Sequence, residues 1–365
     1  DMWDLTQSKM FPQLDRYQQD AYRNLLQIAK TYQGAFLCDG VGLGKTFVGL
    51  MLIERLVAHE GKRVVLFAPK AAREDVWDVK VTKYLEDLNS GFVNFKSFNH
   101  TDLQREGKIQ REIELTLRDA DVVIIDEAHN FRNPGGGGSG RLNESRYRRL
   151  QRYLASGSNP KQVFMLTATP VNNSIHDFRH MIELFTNLDQ KYFQTSLGIA
   201  NLRRHFVDVE RHLLGKGEGE LFDIETGAEV ERAELELARD RIFHELVVQR
   251  SRAYVRENQK QAAGDQALFP DRLPPAVVAY DLKKTYGRLL TSLETAFNKN
   301  KPLFVLGIYN PLAYFTGERE STDAANLEAG RQKQVVTLIR TQFLKRFESS
   351  APSSLTFCWI FSSEM

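Results

Sequence analysis

Asp39-Gly40-Val41-Gly42-Leu43-Gly44-Lys45-Thr46 stands between a short apolar run, Ala35-Phe36-Leu37-Cys38, and a helical pattern that runs from Phe47 to Ala58. Strand, glycine-rich turn and helix in this order make a cradle for phosphate. Glycines let backbone amides point inward, and the helix start adds the positive end of its dipole. Lys45 can reach the outer phosphates of a nucleotide, and the Thr46 hydroxyl suits magnesium. Gly40, Val41, Gly42, Leu43, Gly44, Lys45 and Thr46 are therefore the expected nucleotide-binding residues. A strict phosphate-loop spacing asks for glycine at position 39, where this chain has aspartate, so the fit to that pattern is inexact.

Working outward, three further apolar runs have strand length: Val64-Val65-Leu66-Phe67-Ala68-Pro69, Val122-Val123-Ile124-Ile125-Asp126 and Val163-Phe164-Met165-Leu166. Runs apolar on both faces, with helical segments between them, predict a parallel sheet covered by helices on both sides. Ligands of such sheets gather at the carboxyl ends of the strands. Two of the runs end in polar residues suited to that place. Asp126-Glu127-Ala128-His129 supplies one carboxylate that can hold magnesium and a second that can orient or deprotonate an attacking water. Thr167-Ala168-Thr169-Pro170 supplies two hydroxyls able to relay the state of a nucleotide to whatever packs above the sheet. Either tetrapeptide alone reads equally as a solvated loop or a strand stopped by proline; their order after the phosphate loop gives them weight.

Composition bounds the rest. The 365 residues exceed the usual size of one domain, and 42% hydrophobic with 26% charged residues describe an ordinary globular chain. A formal net charge of +2 excludes a polycation, so any contact with nucleic acid must come from a local patch. Cys38 and Cys358 match no metal spacing and predict no disulfide. No run of about eighteen apolar residues occurs, and membrane insertion is not expected. A bacterial cytoplasm is the expected setting, and a nucleus is compatible.

With those residues in view, the chain resembles Swi/Snf-type ATPases of helicase superfamily two. The stretch 39–46 resembles their motif I. Asp126 to His129, followed by Asn130-Phe131-Arg132-Asn133, resembles motif II, and Leu166 to Asn173 resembles motif III. Arg16-Tyr17-Gln18 is similar to the element whose glutamine reads adenine, Ala68-Pro69-Lys70 with Trp77 to motif Ia, and Val248 to Arg252 to the segment closing the first lobe. The resemblance covers roughly residues 14 to 280. It implies a RecA-like P-loop NTPase lobe that binds ATP and Mg2+, with Gln18 on the adenine, Lys45 and Thr46 on phosphates and metal, Asp126 on the metal and Glu127 on the water. His129, Thr167, Thr169 and Arg250 would couple the site to the rest of the motor. Pro69, Lys70, Asn172 and Asn173 would touch DNA backbone, duplex DNA being the expected partner beside proteins of a larger complex.

The expected organisation is an N-terminal helix with the adenine-reading element over 1–30, the ATP-binding lobe over 31–280 and a mostly helical extension over 281–365, with helices near 285–298 and 330–348. Residues 221–230 read as a hairpin in an acidic surface excursion. Gly135 to Gly140 has the composition of a flexible linker and suggests the replacement of a longer insertion. Family motors end in a second lobe with a Gln-x-x-Gly-Arg-x-x-Arg motif. No such stretch occurs before Met365, so the expectation is a piece of a longer motor that binds ATP and hydrolyses it poorly alone.

Weaker signals point elsewhere. His176 and His180 lie four apart and could share a helix face, as zinc ligands or, more simply, as polar surface. Arg141, Arg146, Arg148, Arg149 and Arg152 could form a phosphate patch or a solvated helix face. The leading reading is an ATP-driven DNA translocase. Set against it are the motor subunit of a restriction or phage-defence system, an RNA helicase, and a nucleotide-dependent binding module without turnover.

Overall fold

The computed structural model describes residues 2–86, 94–135, 144–157, 159–171, 174–214 and 239–250, with helical positions at 287, 291, 295, 331, 332, 334–339, 341 and 345. The chain divides into two compact units, Asp1–Pro270 and Asp271–Met365. Every described position of the second unit is helical, in keeping with the expectation for 285–298 and 330–348. The hairpin expected at 221–230 and most of the glycine run lie outside the described residues.

The first unit is built on one sheet of six strands: β1 (Gly34–Leu37), β2 (Val64–Ala68), β3 (Phe95–Asn99), β4 (Val122–Asp126), β5 (Gln162–Leu166) and β6 (Val247–Val248). Their order is β3-β2-β4-β5-β1-β6, and every neighbouring pair is parallel. This is the RecA-like arrangement, and the α/β class read from the apolar runs holds.

Alternation along each strand divides the core into two layers. Phe36, Val65, Phe67, Val123, Ile125, Val163 and Met165 point to one side, where they meet the helices Lys108–Asp119, Arg146–Leu154 and His176–Phe185. Ala35, Leu37, Val64, Leu66, Val122, Ile124, Phe164 and Leu166 point to the other, against the helices Arg16–Tyr32 and Lys45–Glu54. The four central strands are thus buried on both faces, which explains their unbroken apolar sequences. The edge strands escaped that reading because they are not. β3 carries Lys96 and Ser97 on a half-covered edge, and β6 contributes only two residues.

The N-terminal segment is tied to the same body. The buried Glu54 carboxylate accepts from Ser8 Oγ at 2.5 Å, Lys9 N at 2.7 Å and Met10 N at 3.1 Å, while Tyr22 Oη donates to Asp4 at 2.8 Å. These bonds satisfy carboxylates that burial would otherwise penalise. They hold the helix Arg16–Tyr32 against the helix that follows the phosphate loop.

Phe36 lies at the centre of the first layer, fully buried, with the rings of Phe178 at 4.9 Å and Phe185 at 6.2 Å. Truncation there leaves a cavity under β1, the strand that delivers the phosphate loop. Phe36→Ala is expected to cost about 3–5 kcal/mol in urea unfolding, whereas Val41→Ala, on a side chain 70% exposed, should leave the midpoint unchanged.

Candidate functional site

β1 ends at Leu37, and the chain turns through Asp39 to Gly44 before the helix Lys45–Glu54 begins. Gly42 and Gly44 sit at φ of 84° and 77°, the left-handed region that favours glycine. Gly44 has a second constraint, because an added Cβ would overlap Gln18 Nε2. Gln18 is buried beside the loop. Its amide donates to Leu43 O at 3.1 Å, and its carbonyl accepts from Asp15 N at 3.0 Å to complete the cap of its own helix. Tyr17 Oη donates to the same Leu43 carbonyl at 3.1 Å. Arg16–Tyr32 therefore braces the loop from outside. Lys45 Nζ lies 3.0 Å from Asp39 O, folded along the loop, and Thr46 stands half-buried in the first helical turn.

Asp39 resolves the departure from the strict spacing. It is fully buried and meets Arg250 through two hydrogen bonds, Nε to Oδ1 at 3.2 Å and Nη2 to Oδ2 at 2.9 Å. Arg250 follows β6, and its carbonyl accepts from Gly40 N at 3.4 Å. The aspartate stands where a glycine was expected because it ties the loop to the strand that closes the lobe. Burial pushes its carboxyl above the ordinary value, against the pull of Arg250.

Asp126 and Glu127 occupy the end of β4 as the sequence suggests, but in contrasting settings. Asp126 is 9% exposed and accepts from Trp77 Nε1 at 2.8 Å and from Glu127 N at 3.0 Å. Burial raises its carboxyl above the ordinary value. Trp77 reaches it because Gly49, in the helix after the phosphate loop, leaves room for the indole. Glu127 has a φ of 49°, an unusual conformation for a residue with a side chain, and one that clusters at functional sites. His129 Nδ1 lies 3.1 Å from Glu127 Oε2, and that hydrogen bond holds the Glu127 carboxyl below its ordinary value.

The same His129 nitrogen lies 3.3 Å from Thr167 Oγ1, so one imidazole touches both the strand end after β4 and the strand end after β5. Thr167 is fully buried and receives Thr169 N–H at 3.3 Å. Pro69 and Lys70 follow β2, with Lys70 exposed, at the same carboxyl edge of the sheet. Asn172 and Asn173 lie outside the described residues. Sequence reasoning passed over Asp39 and the Trp77–Asp126 bond. Position 39 was marked only as a mismatch, and an indole donor leaves no pattern.

No group of three or more residues suited to a metal site occurs among the described His, Cys, Asp and Glu side chains. His176 and His180 have other partners: Glu210 at 3.1 Å for His176, and Arg132 O at 2.8 Å with Arg179 Nη2 at 2.7 Å for His180. Hard oxygen donors of the kind magnesium takes exist in the Thr46 hydroxyl and the Asp126 carboxylate, whose two oxygens each accept one hydrogen bond and keep further lone pairs. No helix among the described residues is long and apolar enough to cross a membrane.

Two outcomes follow from these burials. Arg250→Met strands a buried carboxylate and should destabilise the lobe by about 3–5 kcal/mol, with much of the loss restored when Asp39→Leu is added; thermal melts of both variants check this. His100, buried against Phe131, has its imidazole lowered from 6.5 to about 4, chiefly by burial. The unfolded chain then binds more protons than the folded one across that window. Stability should fall as pH drops from about 6.5 to about 4. His100→Phe should flatten that part of the profile in denaturant titrations.

Residues 11–172 match the family described as type III restriction enzyme, res subunit. Among curated proteins, the early transcription factor 70 kDa subunit of Melanoplus sanguinipes entomopoxvirus is 26% identical over 174 residues, 45% of this chain and 24% of that protein. An uncharacterized ATP-dependent helicase, YqhH, of Bacillus subtilis is 28% identical over 165 residues, 41% of this chain and 26% of that protein. The chain thus spans about a quarter of the length of the curated relatives it matches. Among solved structures, a Sulfolobus solfataricus SWI2/SNF2 ATPase core in complex with double-stranded DNA aligns over 87% of this chain and 58% of that one, at 15% identity and a TM-score of 0.43. The family match lies over the phosphate loop, the Asp126-Glu127 pair and Thr167 on an all-parallel sheet, and this part of the chain is similar to an ATP-dependent helicase in that region.

Proposed function

We propose that this lobe binds Mg-ATP at the carboxyl edge of the sheet and serves as the ATP-binding half of a duplex-DNA translocase of Swi/Snf-like type. The observation that supports it most is the contact of His129 with both Glu127 and Thr167. A carboxylate suited to water activation is thereby tied to a strand end suited to signalling.

The roles divide by chemistry. The glycine-rich loop up to Gly44 and the helix start hold phosphate oxygens, and Lys45 leaves the Asp39 carbonyl to meet the outer phosphates. Gln18 and Tyr17 set the position of that loop, and Gln18 would read the adenine base. Thr46 and Asp126 would hold magnesium, which would neutralise charge on the phosphates. Glu127, kept ionised by its neighbour, orients the attacking water and accepts its proton. His129 then links that step to Thr167 and Thr169, and Arg250 couples the loop to the end of the lobe through Asp39. Pro69 and Lys70, with Asn172 and Asn173, would contact the DNA backbone.

The sequence contains no Gln-x-x-Gly-Arg-x-x-Arg stretch, and an arginine supplied across the nucleotide contributes about 10^3 to 10^5-fold to turnover. Slow hydrolysis by this chain alone belongs to the proposal. The family match over 11–172 favours a second reading, the motor of a restriction system. DNA cleavage that depends on ATP turnover by the full-length protein would select it.

The decisive measurement sets ATP binding beside turnover with and without duplex DNA. Fluorescent ATP should bind the chain in magnesium, and Lys45→Ala should lose at least tenfold in affinity. Glu127→Gln should bind as well as the parent and lower whatever hydrolysis the parent shows by about 10^2-fold or more. Nucleotide binding that survives Lys45→Ala would sink the assignment of the loop. Strong stimulation of the isolated chain by duplex DNA would sink the claim of slow turnover.

A further inference from the structure

The arginines of the helix Arg146–Leu154 have separate fates. Arg149 is buried and donates to Leu103 O at 3.0 Å. Arg152 meets Glu144 at 2.8 Å. Arg148 is exposed and has no ion pair among the described residues. It lines a cleft of about 680 Å³ together with Leu188, Arg203, Tyr147, Arg179 and His180. Arg203 is likewise exposed and without an ion pair among the described residues; its backbone N–H donates to Gln190 Oε1 at 2.9 Å.

The carboxylates of this cleft are already matched. Glu144 faces Arg152, and Glu183 receives Arg179 Nη1 at 2.6 Å. The positive charge of Arg148 and Arg203 is left over. Arg203 also lines an adjoining cleft of about 390 Å³ with Arg204 and Arg211, against the single acid Asp208. Arg203 is shared by the linings of the two clefts, so exposed guanidinium groups of the helices Arg146–Leu154 and Leu202–Leu214 make up a basic track.

We propose that this track is a second nucleic-acid backbone site, in which Arg148 and Arg203 each hold a phosphate, separate from the edge that carries Pro69 and Lys70. Guanidinium groups bind phosphate through paired hydrogen bonds and without need of an apolar anchor. A protein partner would need such an anchor, and Leu188 is the sole large apolar side chain exposed in the cleft among the described residues. The lining of the cleft is also tied to the chain that follows β4. His180 takes Arg179 Nη2 on Nε2 at 2.7 Å and donates from Nδ1 to Arg132 O at 2.8 Å. One partner only donates and the other only accepts, so a neutral ring is required, and it connects the cleft to the segment that follows His129.

The inference rests on the nucleic-acid reading above, and its test keeps the two apart. Duplex DNA binding by the full chain is measured by anisotropy over a salt series for the parent, Lys70→Ala, Arg148→Glu with Arg203→Glu, and the milder Arg148→Gln with Arg203→Gln. Two lost phosphate contacts should make the slope of log affinity against log salt shallower by about 1.8. The glutamate pair should lose at least tenfold in affinity at low salt, and the glutamine pair less, with ATP binding and melting temperature retained. A glutamate pair with the parent's affinity and slope would overturn the cleft proposal while leaving the Lys70 edge intact. A parent that binds no nucleic acid would overturn both readings. Polyglutamate that binds the parent and is lost in the glutamate pair, with DNA binding unchanged, would assign the cleft to an acidic protein instead and overturn it as well.

Discussion

Asp39 and Arg250 stand 211 residues apart and meet in a buried, two-pronged ion pair. An unpaired carboxylate at that depth would be costly, because burial takes both ions from water and only close geometry offsets that loss. The pair therefore demands that β6 lie beside β1 and that the chain after Leu37 turn toward it. Other features of the site stand around this constraint. Gly40 donates to the Arg250 backbone, Tyr17 lies under the guanidinium at 5.5 Å, and Tyr17 and Gln18 hold the Leu43 carbonyl. The phosphate loop is thus fixed from behind by these contacts.

A parallel sheet then brings distant segments together. Strands that run the same way end at one edge, and β1, β4 and β5 are adjacent in the order β4-β5-β1. The phosphate loop, the carboxylate pair and Thr167 therefore converge, although they are separated by about 40 to 120 residues of sequence. His129 uses that convergence to touch Glu127 and Thr167 at once. The adjacent carboxyls are pushed in opposite directions, Asp126 up by burial and Glu127 down by the imidazole. Divergent environments for neighbouring acids are what separate a metal ligand from a group that handles a proton.

The outer surface follows a different logic. On the helix Arg146–Leu154, position decides what a guanidinium does: Arg149 is buried on a carbonyl, Arg152 is paired with a carboxylate, and Arg148 is left to solvent. Net charge hides this, because a chain of +2 can still carry a local basic track. The His180 ring links that track to the segment after His129 through groups that only neutral imidazole can satisfy.

The central strands were legible because burial on both faces demands unbroken apolar runs, and the phosphate loop was legible because few residue types can line a phosphate. The Asp-Glu-Ala-His and Thr-Ala-Thr-Pro stretches were readable for the same reason, as polar groups at the ends of such runs. β3 and β6 were not, since edge strands are covered on one side and need no such run. The meaning of Asp39 was also hidden: alone it is a misfit in a pattern, and its partner lies on a strand of two residues. Trp77 gave no sign of its bond to Asp126, which exists only because Gly49 leaves space for the ring. Residue types and local spacing determined the fold class and the chemistry on offer. Which side chains face one another, and so which acid is raised, which is lowered and which arginine stays free, was decided by long-range packing, because burial and electrostatic pairing are properties of neighbours in space.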